Sequence, residues 1–169
     1  PFAPSSRSLL IALDREFTTL VNQVVPSVVS IEAIPVDTVD PRLQMLRLLF
    51  GGKEPGARPS GSGGIVSDKG HIVTNRHVVS DASAVQVQLA DGRTLPAQFV
   101  GADGPSDIAL LKIEAEGLQP LPFGNSDKVN VGQMVFAVGN PLGLQETVTQ
   151  GIISAKGRRA LSEAANEFF

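Results

Sequence analysis

From residue 28 to residue 113 the chain is a series of short apolar segments, nearly all closed by a turn signal. Val28, Val29, Ile31 and Ile34 mark the first. Later ones cover residues 62–67 and 71–75, joined by the turn Asp68-Lys69-Gly70. Val85, Val87 and Leu89 then alternate with Gln86 and Gln88, the period of a half-buried strand. Asp91-Gly92 turns that strand into residues 95–102, and residues 108–113 follow. Six short strands in this arrangement predict one small antiparallel barrel. A chain of 169 residues with 42% hydrophobic content has the length of about one domain and enough apolar surface for a core. Its 18% of charged residues is too low for disorder.

The flanks read differently. Leu9, Leu13, Phe17, Leu20, Val21 and Val24 recur at helical spacing, with Ser8 as a start signal and Pro26 as a stop. This predicts an amphipathic helix over residues 8–24, packed on the body or on another subunit. Asp40-Pro41 introduces a short apolar stretch at 43–50, which either covers its own barrel or meets a neighbour. Residues 51–64, rich in Gly, Pro and Ser, predict a mobile loop running into a strand. Residues 116–124 read as a linker, and two more strands are expected at 134–138 and 148–155. Two strands do not make an independent sheet, for which about three are needed. The expected division is an N-terminal segment and helix at 1–25, a first barrel at 26–115 with a mobile loop at 35–61, and a linker with the start of a second barrel at 116–169.

Composition narrows the chemistry. A formal net charge of −3, with dispersed Lys and Arg, gives no electrostatic case for nucleic acid. The absence of cysteine excludes disulfides, thiolate metal sites and cysteine nucleophiles, and leaves the redox compartment open. No apolar run approaches the roughly 18 residues of a membrane span. The chain begins at Pro1, so any signal or anchor segment is expected to have been removed or left out.

Two residues then stand out. His77 lies in Thr74-Asn75-Arg76-His77-Val78-Val79 at a strand end, and Asp107, thirty residues on, opens the next apolar strand in Ser106-Asp107-Ile108-Ala109-Leu110-Leu111. A histidine followed in the chain by an aspartate is the order of base and orienting acid in chymotrypsin-like serine proteases. His77 is the expected general base and Asp107 the carboxylate that fixes its tautomer. His71, beside a Lys69-Gly70 turn, reads as a solvated hairpin position; pairing it with His77 on zinc lacks a supporting carboxylate or cysteine. No serine sits in a Gly-x-Ser-Gly setting. Ser126, in Gly124-Asn125-Ser126-Asp127, has an aspartate where a nucleophile loop needs glycine; Ser154 is expected in a strand and Ser162 in a polar tail. Gly61-Ser62-Gly63-Gly64 lacks the lysine of a phosphate loop and enters a strand, not a helix. No cofactor is expected.

These segments carry a family resemblance. Val25-Pro26-Ser27-Val28-Val29-Ser30-Ile31, Gly61-Ser62-Gly63-Gly64-Ile65-Val66, the stretch 74–79, Asp91-Gly92-Arg93, the stretch 106–112, Val138-Gly139-Asn140-Pro141-Leu142-Gly143 and the stretch 147–157 stand in an order that closely resembles the HtrA/Deg (Do-like) serine proteases. The resemblance runs from near Asp14 to the last residue. It implies an all-β, chymotrypsin-like fold of two six-stranded antiparallel barrels, the first complete and the second incomplete here, with an N-terminal helix. It also implies trimers, PDZ domains further along the parent chain, and a periplasmic or related organelle setting. In the family Glu167-Phe168-Phe169 approaches the strand leading to the nucleophile loop. His77 and Asp107 are therefore expected without nucleophile, oxyanion amides or most of the specificity pocket, so that this chain alone is inactive.

The resemblance implies a serine endopeptidase of protein quality control that cleaves unfolded or misfolded proteins. Two alternatives stay open: a non-catalytic protease-like binding or scaffold protein, and a subunit completed by a separate carboxy-terminal fragment.

Overall fold

The computed structural model describes residues 4–35, 60–80, 82–140 and 147–157. Helix α1 (Pro4–Val24) opens at a proline, whose missing N–H costs nothing at a helix start. It begins before the predicted Ser8, which is one turn inside and caps nothing. At the other end Pro26 enters a 3-10 turn, Val25–Ser27, and the chain becomes extended at Val28. Phe17, Val21 and Val24 are half-buried, whereas Leu9, Leu10, Ile11, Leu13 and Leu20 are exposed. The predicted apolar stripe thus meets the body only through its C-terminal half. The Phe17 ring stands edge-on to Phe136, with centroids 5.1 Å apart.

The six expected strands are present: β1 (Val28–Pro35), β2 (Ser60–Ile65), β3 (His71–Asn75), β4 (Ala82–Gln88), β5 (Thr94–Asp103) and β6 (Ile108–Lys112). They close as an antiparallel barrel in the order β1-β2-β3-β6-β5-β4, and β1 pairs with β4 to leave no open edge. Inward-facing Val29, Ile31, Ile65, Ile72, Val87, Leu111 and Ile113 are almost wholly buried and form one core. The period-2 alternation of the sequence becomes an apolar lumen and a polar outer wall in this way.

β2 starts at Ser60, so its first residues belong to the barrel wall and not to the predicted loop. Its glycines follow from packing. A Cβ at Gly63 would lie 2.8 Å from both Ile31 Cδ1 and Ile72 Cγ2. The rest of that loop, the apolar stretch at 43–50, and the tail with Ser162 lie outside the described residues.

After β6 the chain crosses the barrel, held where the Leu121 N–H donates to the Ile65 carbonyl at 2.8 Å. β7 (Met134–Gly139) and β8 (Thr147–Ile152) then pair as a two-stranded antiparallel sheet. β8 stops at Ile152 and not at 155, because its partner begins at Met134 and the Met134–Ile152 pair is the last of the ladder. Ile153 bonds instead to the turn at Gly132 and Gln133, and Ser154 lies beyond the strand rather than in it.

Candidate active site

The register of β3 against β6 creates the site. His71 pairs with Lys112 and Asn75 with Ile108, so the end of β3 lies beside the start of β6. The next residues on each side are a one-turn helix α2 (Arg76–Val79), which carries His77, and the turn that carries Asp107. Val78 and Val79 bury themselves in the barrel end and anchor α2. Residues thirty apart in sequence are thereby brought within hydrogen-bonding distance.

His77 Nδ1 lies 2.6 Å from Asp107 Oδ2, and the His77 backbone N–H donates to Asp107 Oδ1 at 2.9 Å. The Arg76 N–H donates to the Asp107 carbonyl at 2.8 Å. Asp107 also closes its own turn, donating its N–H to the Gly104 carbonyl at 3.2 Å. Its φ of 54° is the one left-handed backbone among the described non-glycine residues, a conformation that aspartate tolerates better than most. The ring hydrogen bond from His77, and then its backbone N–H, hold the Asp107 carboxyl below the usual carboxylate range, with a smaller contribution from Asn75.

Those contacts place one hydrogen. An ionised carboxylate only accepts, so His77 Nδ1 carries a hydrogen, and in the neutral ring Nε2 is then the acceptor. The His77 side chain is 71% exposed and that of Asp107 33%. The acid is thus the more sheltered of the pair, and the imidazole is open to solvent. This arrangement can take a proton from an approaching hydroxyl and stabilise the resulting imidazolium.

Asn75 had no role in the sequence reading. Its Nδ2 donates to Asp107 Oδ2 at 3.2 Å and to the Asp107 carbonyl at 3.3 Å. The available signal was positional: an amide on the last residue of one strand, beside the residue preceding the strand it pairs with.

The other candidates are elsewhere. His71 Nδ1 is 2.7 Å from Ser67 Oγ across its own hairpin, where the pair closes the turn. Ser126 starts an exposed 3-10 turn whose Asn125 side chain accepts from the Asp127 N–H. Ser62 is structural: its hydroxyl accepts from the Asn140 N–H at 2.8 Å, and its carbonyl accepts from Thr74 Oγ1 at 2.9 Å. This ties the end of β7 to the strand that leads into His77. A cleft of about 450 Å³ lies along that seam, lined in part by Ser62, Thr74, Asn75, Ile108 and Phe136. Among the described residues no cluster of three or more His, Asp or Glu is placed to hold a metal ion, and no helix is long and apolar enough to cross a membrane.

Comparison with known proteins agrees with this fold. Residues 61–168 match the family model of the trypsin-like peptidase domain. A probable periplasmic serine endoprotease, DegP-like, of Chlamydia trachomatis is 54% identical over 101 residues, covering 60% of this chain and 20% of that protein. Its namesake in Ectopseudomonas mendocina is 39% identical over 172 residues, covering 88% of this chain and 36% of that protein. Among solved structures, an HtrA-type protease, AlgW, with tripeptide superposes with a TM-score of 0.71 at 33% identity, covering 87% of this chain and 42% of that one. The chain thus spans about a third or less of the length of these curated relatives.

Proposed function

This chain belongs to the HtrA/Deg-type trypsin-like serine proteases, and from that premise we propose that it supplies the base and the orienting acid of a serine endopeptidase acting on unfolded or misfolded proteins. The observation that carries the reading is the two-point hold of Asp107 on His77, through both the ring Nδ1 and the backbone N–H. In the reaction His77 Nε2 takes the proton of the attacking serine hydroxyl and returns it to the leaving amine, an effect of about 10²–10⁴ in rate. Asp107 keeps the imidazole in the Nδ1–H tautomer and balances its charge during attack.

The nucleophile is proposed to come from outside these 169 residues. Among the described residues no serine hydroxyl bonds to the His77 ring, and Ser62, Ser67 and Ser126 are engaged in turns and strand contacts. The reading also includes a periplasmic setting, after the names of the relatives, and assembly as a homotrimer. It divides the chain into the helix segment 1–25, the first barrel 26–115 and the beginning of a second barrel at 116–169.

The test compares the 169-residue chain with the whole gene product that contains it. The whole product is expected to hydrolyse casein and to be labelled by a fluorophosphonate; the 169-residue chain is expected to do neither. Stoichiometric labelling of Ser126 or Ser154 in the short chain would contradict the assignment. A whole product that neither cleaves nor labels would favour the scaffold alternative.

A further inference from the structure

We propose that Asn75 is a positioning residue for the reaction, one that holds the Asp107 carboxylate in the rotamer and backbone conformation needed to engage His77. The inference rests on the protease reading of the His77–Asp107 pair. Its basis is the fork made by one amide group: Nδ2 lies 3.2 Å from Asp107 Oδ2 and 3.3 Å from the Asp107 carbonyl oxygen. Both partners are acceptors, so the amide nitrogen, and not its oxygen, must face them.

The fork spans the torsions that separate the main-chain carbonyl from the carboxylate. One bond holds the carbonyl oxygen of Asp107 and the other holds its Oδ2, so ψ, χ1 and χ2 of that residue are restrained together. The oxygen that Asn75 contacts is the same Oδ2 that accepts from His77 Nδ1 at 2.6 Å. Without Asn75 the main chain of Asp107 would still be tied through the Arg76 N–H, and Oδ1 through the His77 N–H. Oδ2, however, would be held, among the described residues, only by the imidazole that it is supposed to orient. Asn75 breaks that circularity, because it is fixed independently by its place opposite Ile108 in the β3–β6 ladder.

Geometry also separates this role from a packing role. The Asn75 side chain is exposed at the strand end and contributes nothing to the barrel core. A variant here should alter the site and leave the fold intact.

The experiment has two arms. In the 169-residue chain, carbon-detected NMR follows titration of the Asp107 carboxyl in wild type, Asn75→Ala and Asn75→Asp. Loss of a donor in N75A is expected to raise the Asp107 midpoint, and N75D to raise it further because a second carboxylate then faces the first. Methyl resonances of core residues Ile72 and Leu111 should not move. In the whole gene product, N75A is expected to lower kcat about tenfold with KM changed less than about twofold, the split for an interaction made in the transition state. An Asp107 midpoint unchanged in N75A, or core methyls displaced as much as the site, would overturn the role of Asn75. If the midpoint rises while His77→Ala leaves hydrolysis by the whole product intact, the protease reading fails, and the positioning role for that reaction with it.

Discussion

Gly63→Ala is a demanding test of the packing that closes the barrel. The new Cβ would stand 2.8 Å from Ile31 Cδ1, 2.8 Å from Ile72 Cγ2 and 3.1 Å from the Val73 carbonyl oxygen. Ile31 Cδ1 is the end of a side chain and can swing aside. Ile72 Cγ2 sits on a β-branched carbon whose χ1 is restricted, and the Val73 carbonyl belongs to the wall itself. Ile31 and Ile72 are fully buried, so relief requires repacking at a cost of about 1–3 kcal/mol. Ile31→Val removes only Cδ1. By itself it should cost about 0.5–1.5 kcal/mol. In the G63A background it relieves one of the two side-chain clashes, so the double variant should recover about 1 kcal/mol relative to additivity. The chain has no Trp or Tyr, so urea unfolding is best followed by far-ultraviolet circular dichroism. A lowered midpoint with unchanged slope is expected for G63A. Stability equal to wild type, or strict additivity in the double variant, would refute the claim that Gly63 is required by contact with these two side chains.

Three other outcomes follow from the same packing and hydrogen bonds. Gly70→Ala should be worse than G63A, because φ is 85° there and a Cβ would lie 2.2 Å from the Ile113 carbonyl oxygen; equal urea midpoints would contradict this. The carboxyls of Asp91, Asp103 and Asp107 are all held below the usual range, chiefly by hydrogen bonds from Arg93, Ser106 and His77 respectively. Their contribution to stability is therefore complete above the unfolded value of about 3.9 and is lost as pH falls through their folded values, which acid titration of the unfolding midpoint should show. Removing the ring in Phe17→Ala takes away the edge-on contact with Phe136, and amide exchange in the C-terminal half of α1 should quicken while Leu111 stays protected; unchanged exchange would mean the helix is held by other contacts.

The barrel was legible in the sequence because its signal is local. Alternation at Val85, Val87 and Leu89, with turn residues at Asp68-Lys69-Gly70 and Asp91-Gly92, needs no knowledge of distant partners, and each strand falls within a few residues of its expected place. Errors arose where a distant partner decides. β8 stops at Ile152 because β7 starts at Met134, and Ser60 joins β2 because β1 reaches Glu32 opposite it. The helix start was missed because Pro4 opens a helix as readily as Ser8 caps one. Within the candidate site, residue type and chain order marked His77 and Asp107. Asn75 was invisible, since its role depends on a cross-strand register and on the left-handed turn at Asp107, neither of which leaves a compositional trace.

Asp107 is proposed to orient His77 for general-base work, and Asp107→Asn in the whole gene product tests that role most directly. The substitution keeps the shape and removes the acceptor-only character that places the hydrogen on His77 Nδ1. Facing an amide, the imidazole can take the other tautomer and offer Nε2–H, which cannot accept a proton. The account predicts a fall in kcat of about four orders of magnitude on an unfolded protein substrate, with the fold intact by circular dichroism. A D107N protein that retains kcat within about tenfold of wild type would contradict it.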